Sequence, residues 1–146
     1  MADPEIGPGQ YWRIATFLSV FDVHVQKVPA AGEVLASTYT EGKKMAAFRS
    51  GIDRVNQRHL AVLKRPNGDL IGIRQIAGLF ARRVVCYLEK GQRVHRGQAL
   101  GVIKFGSRVD LFVPVRYTVR VKAGDRLKNG ETPVAEPTPT GNGGSP

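Results

Sequence analysis

Apolar positions in this chain alternate over short runs, and the alternation predicts strands. From Tyr11 to Val28, Ile14, Thr16, Leu18 and Val20 oppose Phe17, Phe21, Val23 and Val25. β-Branched and aromatic residues on both phases read as a strand buried on both faces. Pro29 and Gly32 end that run, and Glu33 to Tyr39 reads as a second strand. Leu60 to Lys64 and Leu70 to Ile76 flank Pro66-Asn67-Gly68-Asp69, and Asn-Gly between two such runs predicts a hairpin. Leu100 to Lys104 and Val109 to Pro114 read as two further strands with Phe105-Gly106-Ser107-Arg108 as the turn between them.

Other stretches carry weaker signals. Gly42 to His59 mixes Lys43, Lys44, Arg49, Arg54 and Arg58 with Met45 to Phe48 in no clean period, so an irregular basic excursion is expected. Leu79 to Leu88 is too short for periodicity to choose between a short helix and a strand. Residues 1–10 are polar and hold Pro4 and Pro8, which predicts a flexible N-terminus. Residues 137–146 contain only Pro, Thr, Gly, Asn and Ser, which predicts a disordered tail. The folded unit is then 11–136, a single domain, as 146 residues suggest.

One repeat stands out. Gly91-Gln-Arg-Val94-His-Arg-Gly97-Gln98 returns 33 residues later as Gly124-Asp-Arg-Leu127-Lys-Asn-Gly130-Glu131. Paired glycines around one apolar residue suit two tight turns about an inward side chain. The fold expected is mainly β, a pseudo-symmetric β-sandwich or barrel-sandwich hybrid of hammerhead shape. The repeat resembles biotinyl and lipoyl carrier domains, whose modified lysine sits on a hairpin tip. The equivalent hairpin here, Val102 to Asp110, carries Gly106 and Ser107 at its tip, and Lys104 is a poor substitute for the lysine.

Charge narrows the partners. Twenty-two Lys plus Arg against 12 Asp plus Glu give +10, which favours a polyanion or an anionic lipid surface. Nucleic acid fits less well, because Trp12 and most Phe fall in apolar strands instead of among the basic residues. Cys86 stands alone, and the three histidines have no metal-ligand spacing, so neither a disulfide scaffold nor a zinc site is expected. No run approaches the roughly 20 apolar residues of a spanning helix, and the N-terminus lacks a signal-peptide pattern, so a cytoplasmic location is expected.

Chemistry concentrates at Gly106-Ser107. A serine hydroxyl can attack the preceding glycine carbonyl, which no Cβ shields, and the resulting ester can eliminate to leave a pyruvoyl group at position 107. The plain alternative is an ordinary turn. Around this pair, Phe17-Leu-Ser-Val-Phe-Asp-Val-His24, Val28-Pro29, Asn56-Gln57-Arg58, Gln75-Ile-Ala-Gly78, Ala81-Arg-Arg-Val-Val-Cys86 and Phe105-Gly-Ser-Arg-Val-Asp110 follow in order. Together they resemble the phosphatidylserine decarboxylases of the short bacterial and archaeal type.

The resemblance implies self-cleavage between Gly106 and Ser107, leaving β and α chains. The pyruvoyl group from Ser107 would then be the only cofactor, its ketone reacting with the substrate amine and absorbing the electrons left by carbon dioxide. It implies His24 as acid or base, with Lys27 where long-type members carry a second histidine. Asp22 could orient His24, and Arg82 and Arg83 could receive the lipid's phosphate or carboxylate, although solvated roles suit these three as well. His59 and His95 read as surface residues. Phosphatidylserine, an anionic membrane surface on the cytoplasmic side, the chain's own cleaved pieces and a homo-oligomer are the partners implied. Short-type members usually begin with hydrophobic segments, an arginine-rich stretch and a Ser-Pro-Ala-Asp-Gly motif, none of which precedes Tyr11. Either the chain is an N-terminally shortened product, or another residue, Asp22 or Asp110, replaces that aspartate in processing. A processing-deficient homologue, or a lipoyl-like binding module without activity, is the alternative.

Overall fold

A computed structural model describes residues 2–3, 5–17, 24–42, 56–78, 84–103, 108–121 and 135–137. These residues form twelve strands: β1 (Ala2–Asp3), β2 (Gly7–Phe17), β3 (His24–Lys27), β4 (Gly32–Thr40), β5 (Arg58–Lys64), β6 (Leu70–Ile76), β7 (Val84–Cys86), β8 (Arg93–Val94), β9 (Ala99–Ile103), β10 (Arg108–Pro114), β11 (Tyr117–Val119) and β12 (Ala135–Pro137). Seven of them form an antiparallel sheet in the order β1-β2-β10-β6-β5-β4-β8. A three-stranded sheet, β3-β9-β7, lies over one face of it, and β11 and β12 pair separately. The mainly-β sandwich expected from the alternation is the observed class.

The expected hairpin is β5–β6, closed over residues 65–69 by Gly68 N–H to Arg65 O at 2.8 Å and by Asp69 N–H to Asn67 Oδ1 at 3.0 Å. Both strands are buried almost continuously instead of alternately, because the centre of the large sheet is covered on both faces. Between the two sheets, Val34, Ala61, Leu63, Ile73 and Val94 pack against Val28, Leu88 and Leu100. On the opposite face, Ile6 caps Tyr11, Leu60, Val62 and Phe112. Gly72 makes that cap fit, since a Cβ there would lie 2.7 Å from Ile6 Cδ1. Burying a side chain as completely as Phe112 or Leu63 contributes about 1.5–3 kcal/mol.

The first copy of the glycine repeat behaves as its pattern predicts. Gly91 and Gly97 have φ of 89° and 87°, in the left-handed region that favours glycine, and Val94 between them is buried. The second copy lies outside the described residues, and so does most of Gly42 to His59.

Several expectations change. The run from Tyr11 to Val28 is two strands in different sheets, β2 and β3, with residues 18–23 outside those described. Burial on both faces fails at β2, where Trp12, Arg13 and Ala15 are exposed. Beyond Gln10, β2 has a neighbour on one side only among the described residues, β10, and Trp12 stays open to solvent while its indole N–H donates to Val115 O at 3.0 Å. The first ten residues include strand pairing, Ala2 with Gln10 and Asp3 with Gly7, and a buried Ile6. Arg58 and His59 belong to β5 instead of the basic excursion. Leu79 to Leu88 contributes strand β7 over its described part, and Pro137, assigned to the tail, closes β12.

The largest correction concerns Val102 to Asp110. β9 and β10 do not pair: β9 is the centre of the small sheet, while β10 lies between β2 and β6 in the large one. The chain therefore passes from one sheet to the other between Ile103 and Arg108, where a hairpin was expected.

Candidate functional site

The motif Phe105-Gly106-Ser107 lies outside the described residues, but both flanks are held by pairing. On the N-terminal side, Ile103 ends β9 with His24 paired on one side and Val84 on the other. His24, expected as acid or base, is thus placed by its backbone beside the last residue of the strand leading into the motif. On the C-terminal side, Arg108 opens β10 paired with Phe17 of β2 and Ile76 of β6. Asp22, Arg82 and Arg83 lie outside the described residues, as do Lys43, Lys44, Arg49 and Lys104.

Arg108 is also held through its side chain. Its Nη2–H donates to Asp110 Oδ2 at 2.9 Å, and Nε lies 2.8 Å from Oδ1. The two residues alternate onto one face of β10, and Asp110 is fully buried. Burial pushes the Asp110 carboxyl upward, against the opposing pull of Arg108, Arg13 and Arg74. A carboxylate so engaged neutralises a buried guanidinium, and its release to act as a base would leave Arg108 uncompensated. Removing one member of a buried pair typically costs about 3–5 kcal/mol, so Asp110→Ala should lower unfolding stability by that order in urea titration. A loss below about 1 kcal/mol, the value of an exposed pair, would show that the contact carries little.

On the inter-sheet face, a second polar group gathers. Ser37 Oγ–H donates to Leu88 O at 2.7 Å and lies 2.9 Å from His59 Nε2. Since the hydroxyl proton is committed to a carbonyl, which only accepts, His59 Nε2 must carry a proton and donate to Ser37. Directly across from His59, Gln75 Nε2 donates to Gln26 Oε1 and to Val85 O, each at 3.2 Å. Beside them an open recess of about 390 Å³ is lined by Tyr39, Gln57, His59 and Val84 to Cys86.

His59 corrects the expectation of a surface residue: it is only 8% exposed. Sequence alternation contained the signal, because His59 shares its phase with Ala61 and Leu63, which face the core. Its basic neighbours obscured it. His95 is exposed, as expected. Burial holds His59 below the usual histidine value of 6.5 and pushes the Cys86 thiol up. The unfolded chain therefore binds more protons than the folded one as pH falls through the histidine range. Stability contributed by neutral His59 is present above that range and lost on acidification through it. Thermal melts from about pH 7.5 to about pH 5.5 should show a falling midpoint, and His59→Gln should flatten the slope. Equal slopes in both proteins would assign the loss elsewhere.

Among the described residues no cluster of His, Cys, Asp and Glu could hold a metal ion, and no helix is long and apolar enough to cross a membrane.

Comparison with known proteins extends these observations. The family model described as phosphatidylserine decarboxylase matches residues 7–135. The phosphatidylserine decarboxylase proenzyme of Gluconobacter oxydans is 42% identical over 132 residues, covering 90% of this chain and 59% of the relative. That of Saccharopolyspora erythraea is 42% identical over 135 residues, covering 92% and 57%, and that of Rickettsia africae is 40% identical over 135 residues, covering 91% and 58%. The chain thus spans a little under three-fifths of the length of these relatives. No solved structure matches. The matched region runs from β2 to the first residue of β12 and includes both flanks of the Gly106-Ser107 motif. The chain belongs to the phosphatidylserine decarboxylase family.

Proposed function

We propose that this chain decarboxylates phosphatidylserine to phosphatidylethanolamine, using a pyruvoyl group that it makes from its own Ser107. The observation that carries the reading is the Phe-Gly-Ser-Arg motif set immediately before a central strand whose first residue, Arg108, is paired on both sides and bound through its guanidinium to Asp110. In self-cleavage the Ser107 hydroxyl attacks the Gly106 carbonyl, and the peptide bond is exchanged for an ester. Elimination breaks that ester, leaving the Gly106 carboxylate on one chain and a dehydroalanine on the other. Water then displaces ammonia from position 107 to give the ketone.

The residues present suit such a group. Arg108 anchors the strand that begins one residue after it, so a terminal carbonyl at 107 would be tethered to a fixed point. When present, a pyruvoyl group supplies an electron sink for a substrate amine losing carbon dioxide. His24, from the strand paired with Ile103, would return a proton to the α-carbon, and the two cleaved chains would stay together because β10 is hydrogen-bonded between β2 and β6. The charge of +10 favours an anionic membrane surface, which Lys43, Lys44 and Arg49 would augment, and Arg82 and Arg83 would receive the lipid's anionic groups. A peripheral, cytoplasmic placement and self-association belong to the same proposal.

The test is covalent capture. With cyanoborohydride, phosphatidylserine should become attached to the small chain alone, whereas phosphatidylcholine, whose quaternary nitrogen has no proton to lose, should not. Equal labelling of both chains, or labelling of the Ser107→Ala protein, would reject a specific ketone at position 107.

A further inference from the structure

A buried polar side chain links the two sheets at the end that carries the cleavage motif. Gln75, in β6, is 1% exposed and stands in register between His59 of β5 and Val109 of β10. Its Nε2 donates to Gln26 Oε1 of β3 and to Val85 O of β7, each at 3.2 Å. β3 and β7 are the outer strands of the small sheet, and β9 runs between them. The amide therefore spans β9, and it does so at Gly101, which pairs with Gln26 on one side and Cys86 on the other. A Cβ on Gly101 would collide with Val85 O and lie 3.0 Å from Gln75 Nε2, so glycine is what lets the amide reach across.

Each residue is unfavourable there by itself. Glycine inside a strand loses more backbone entropy than alanine and packs nothing. Gln75 is buried beside the apolar contact of Ala77, Val84 and Val109, and its Oε1 has no donor among the described residues, which is costly. An aliphatic side chain would fill the site with no polar atom to satisfy. What the amide adds is direction, because hydrogen bonds fix the relative position of the strands they join, where apolar contacts tolerate sliding.

The strands so joined flank the motif. Gly101 is two residues before Ile103, the last residue of β9, and Val109 is two residues after Ser107. β9 and β10 lie in different sheets, so no ladder of backbone hydrogen bonds sets the distance between them. Gln26, the acceptor on β3, is two residues after His24.

We propose that Gln75 is a positioning residue for self-cleavage: by tying β3 and β7 to β6, it sets the placement of Ile103 relative to Arg108, and with it the approach of the Ser107 hydroxyl to the Gly106 carbonyl. The inference rests on the self-cleavage proposed above. In that step the new carbon–oxygen bond forms, the Gly106–Ser107 carbon–nitrogen bond breaks, and the hydroxyl proton ends on the freed amine. Gln75 acts through the two strands, so its loss removes geometry and not an acid or a base.

The full chain is made by cell-free synthesis and sampled over time by intact mass, at a temperature well below the melting midpoint of every variant compared. Gln75→Met, nearly equal in volume but without N–H groups, should divide about 10- to 100-fold more slowly than the unaltered chain. Gln26→Met leaves the bond to Val85 O and should slow division less. The double variant should be no slower than Gln75→Met, since both changes remove the same bond. Hydroxylamine separates positioning from a merely structural role, because it splits an ester at Gly106 but not a peptide bond. In the unaltered chain it should release a small piece beginning with serine. It should not restore division in Gln75→Met, whose slowed step is the attack that forms the ester. Restored division would place the defect in elimination and overturn the proposal, as would division at the full rate in folded Gln75→Met. Should Gln75→Met not fold, Gln26→Met decides, and its folded form dividing at the full rate overturns the proposal. An unaltered chain that stays whole rejects self-cleavage itself, and the role of Gln75 with it.

Discussion

Ser107→Ala should yield one intact chain of 146 residues, where the unaltered protein should separate under denaturing conditions into pieces of 106 and 40 residues. This is the largest effect expected from a single atom, because loss of the hydroxyl oxygen removes the nucleophile and no neighbouring group can form the same ester. Intact mass spectrometry reads the outcome directly, and the small piece should resist sequential degradation from its N-terminus. The substitution is close to isosteric, so a change in folding is not expected to contribute. An unaltered chain that stays whole after prolonged incubation would reject self-processing, leaving the processing-deficient alternative. Division of both proteins at the same bond would instead point to an external protease.

His24→Ala should slow carbon dioxide release about 10²- to 10⁴-fold, the usual contribution of a positioned acid or base. The support for choosing His24 is its backbone pairing with Ile103, on the strand that leads into the cleavage motif. His95 is exposed at a turn, and His95→Ala should leave the rate unchanged. His59→Ala should act differently again, lowering stability through the lost buried ring and its contact with Ser37 while leaving the rate of the folded protein near that of the unaltered chain. Release of radiolabelled carbon dioxide sets His24→Ala apart, and circular dichroism melts separate His59→Ala from His95→Ala while confirming that each is folded. If His24→Ala blocks chain division as well, one imidazole serves both steps. A folded His24→Ala protein with an unchanged rate would assign the proton to another group.

Local pattern was enough wherever the controlling interaction was itself local. Asn67-Gly68 between two alternating runs specified the β5–β6 hairpin, and Gly91 and Gly97 specified turns that only residues tolerant of positive φ adopt easily. The cleavage proposed at Gly106-Ser107 is local in the same sense, since the bonds it would make and break involve only adjacent atoms of the chain. The phase of His59 was also written in the alternation of Ala61 and Leu63, although a basic neighbourhood masked it.

What the sequence could not decide was which strands become neighbours. β9 and β10 alternate and are separated by four residues, as the arms of a hairpin would be, yet one joins β3 and β7 while the other inserts between β2 and β6. Local periodicity is identical for a hairpin and for a crossing between sheets; long-range burial selects between them. Trp12 follows the same logic, exposed where the outer side of β2 has no neighbour beyond Gln10 among the described residues. The Arg108–Asp110 pair could be read as two residues on one face, but its burial required β2 and β6 on either side. The amide bridge from Gln75 to Gln26 arises only where two sheets close over one another, so it belongs to the tertiary structure alone.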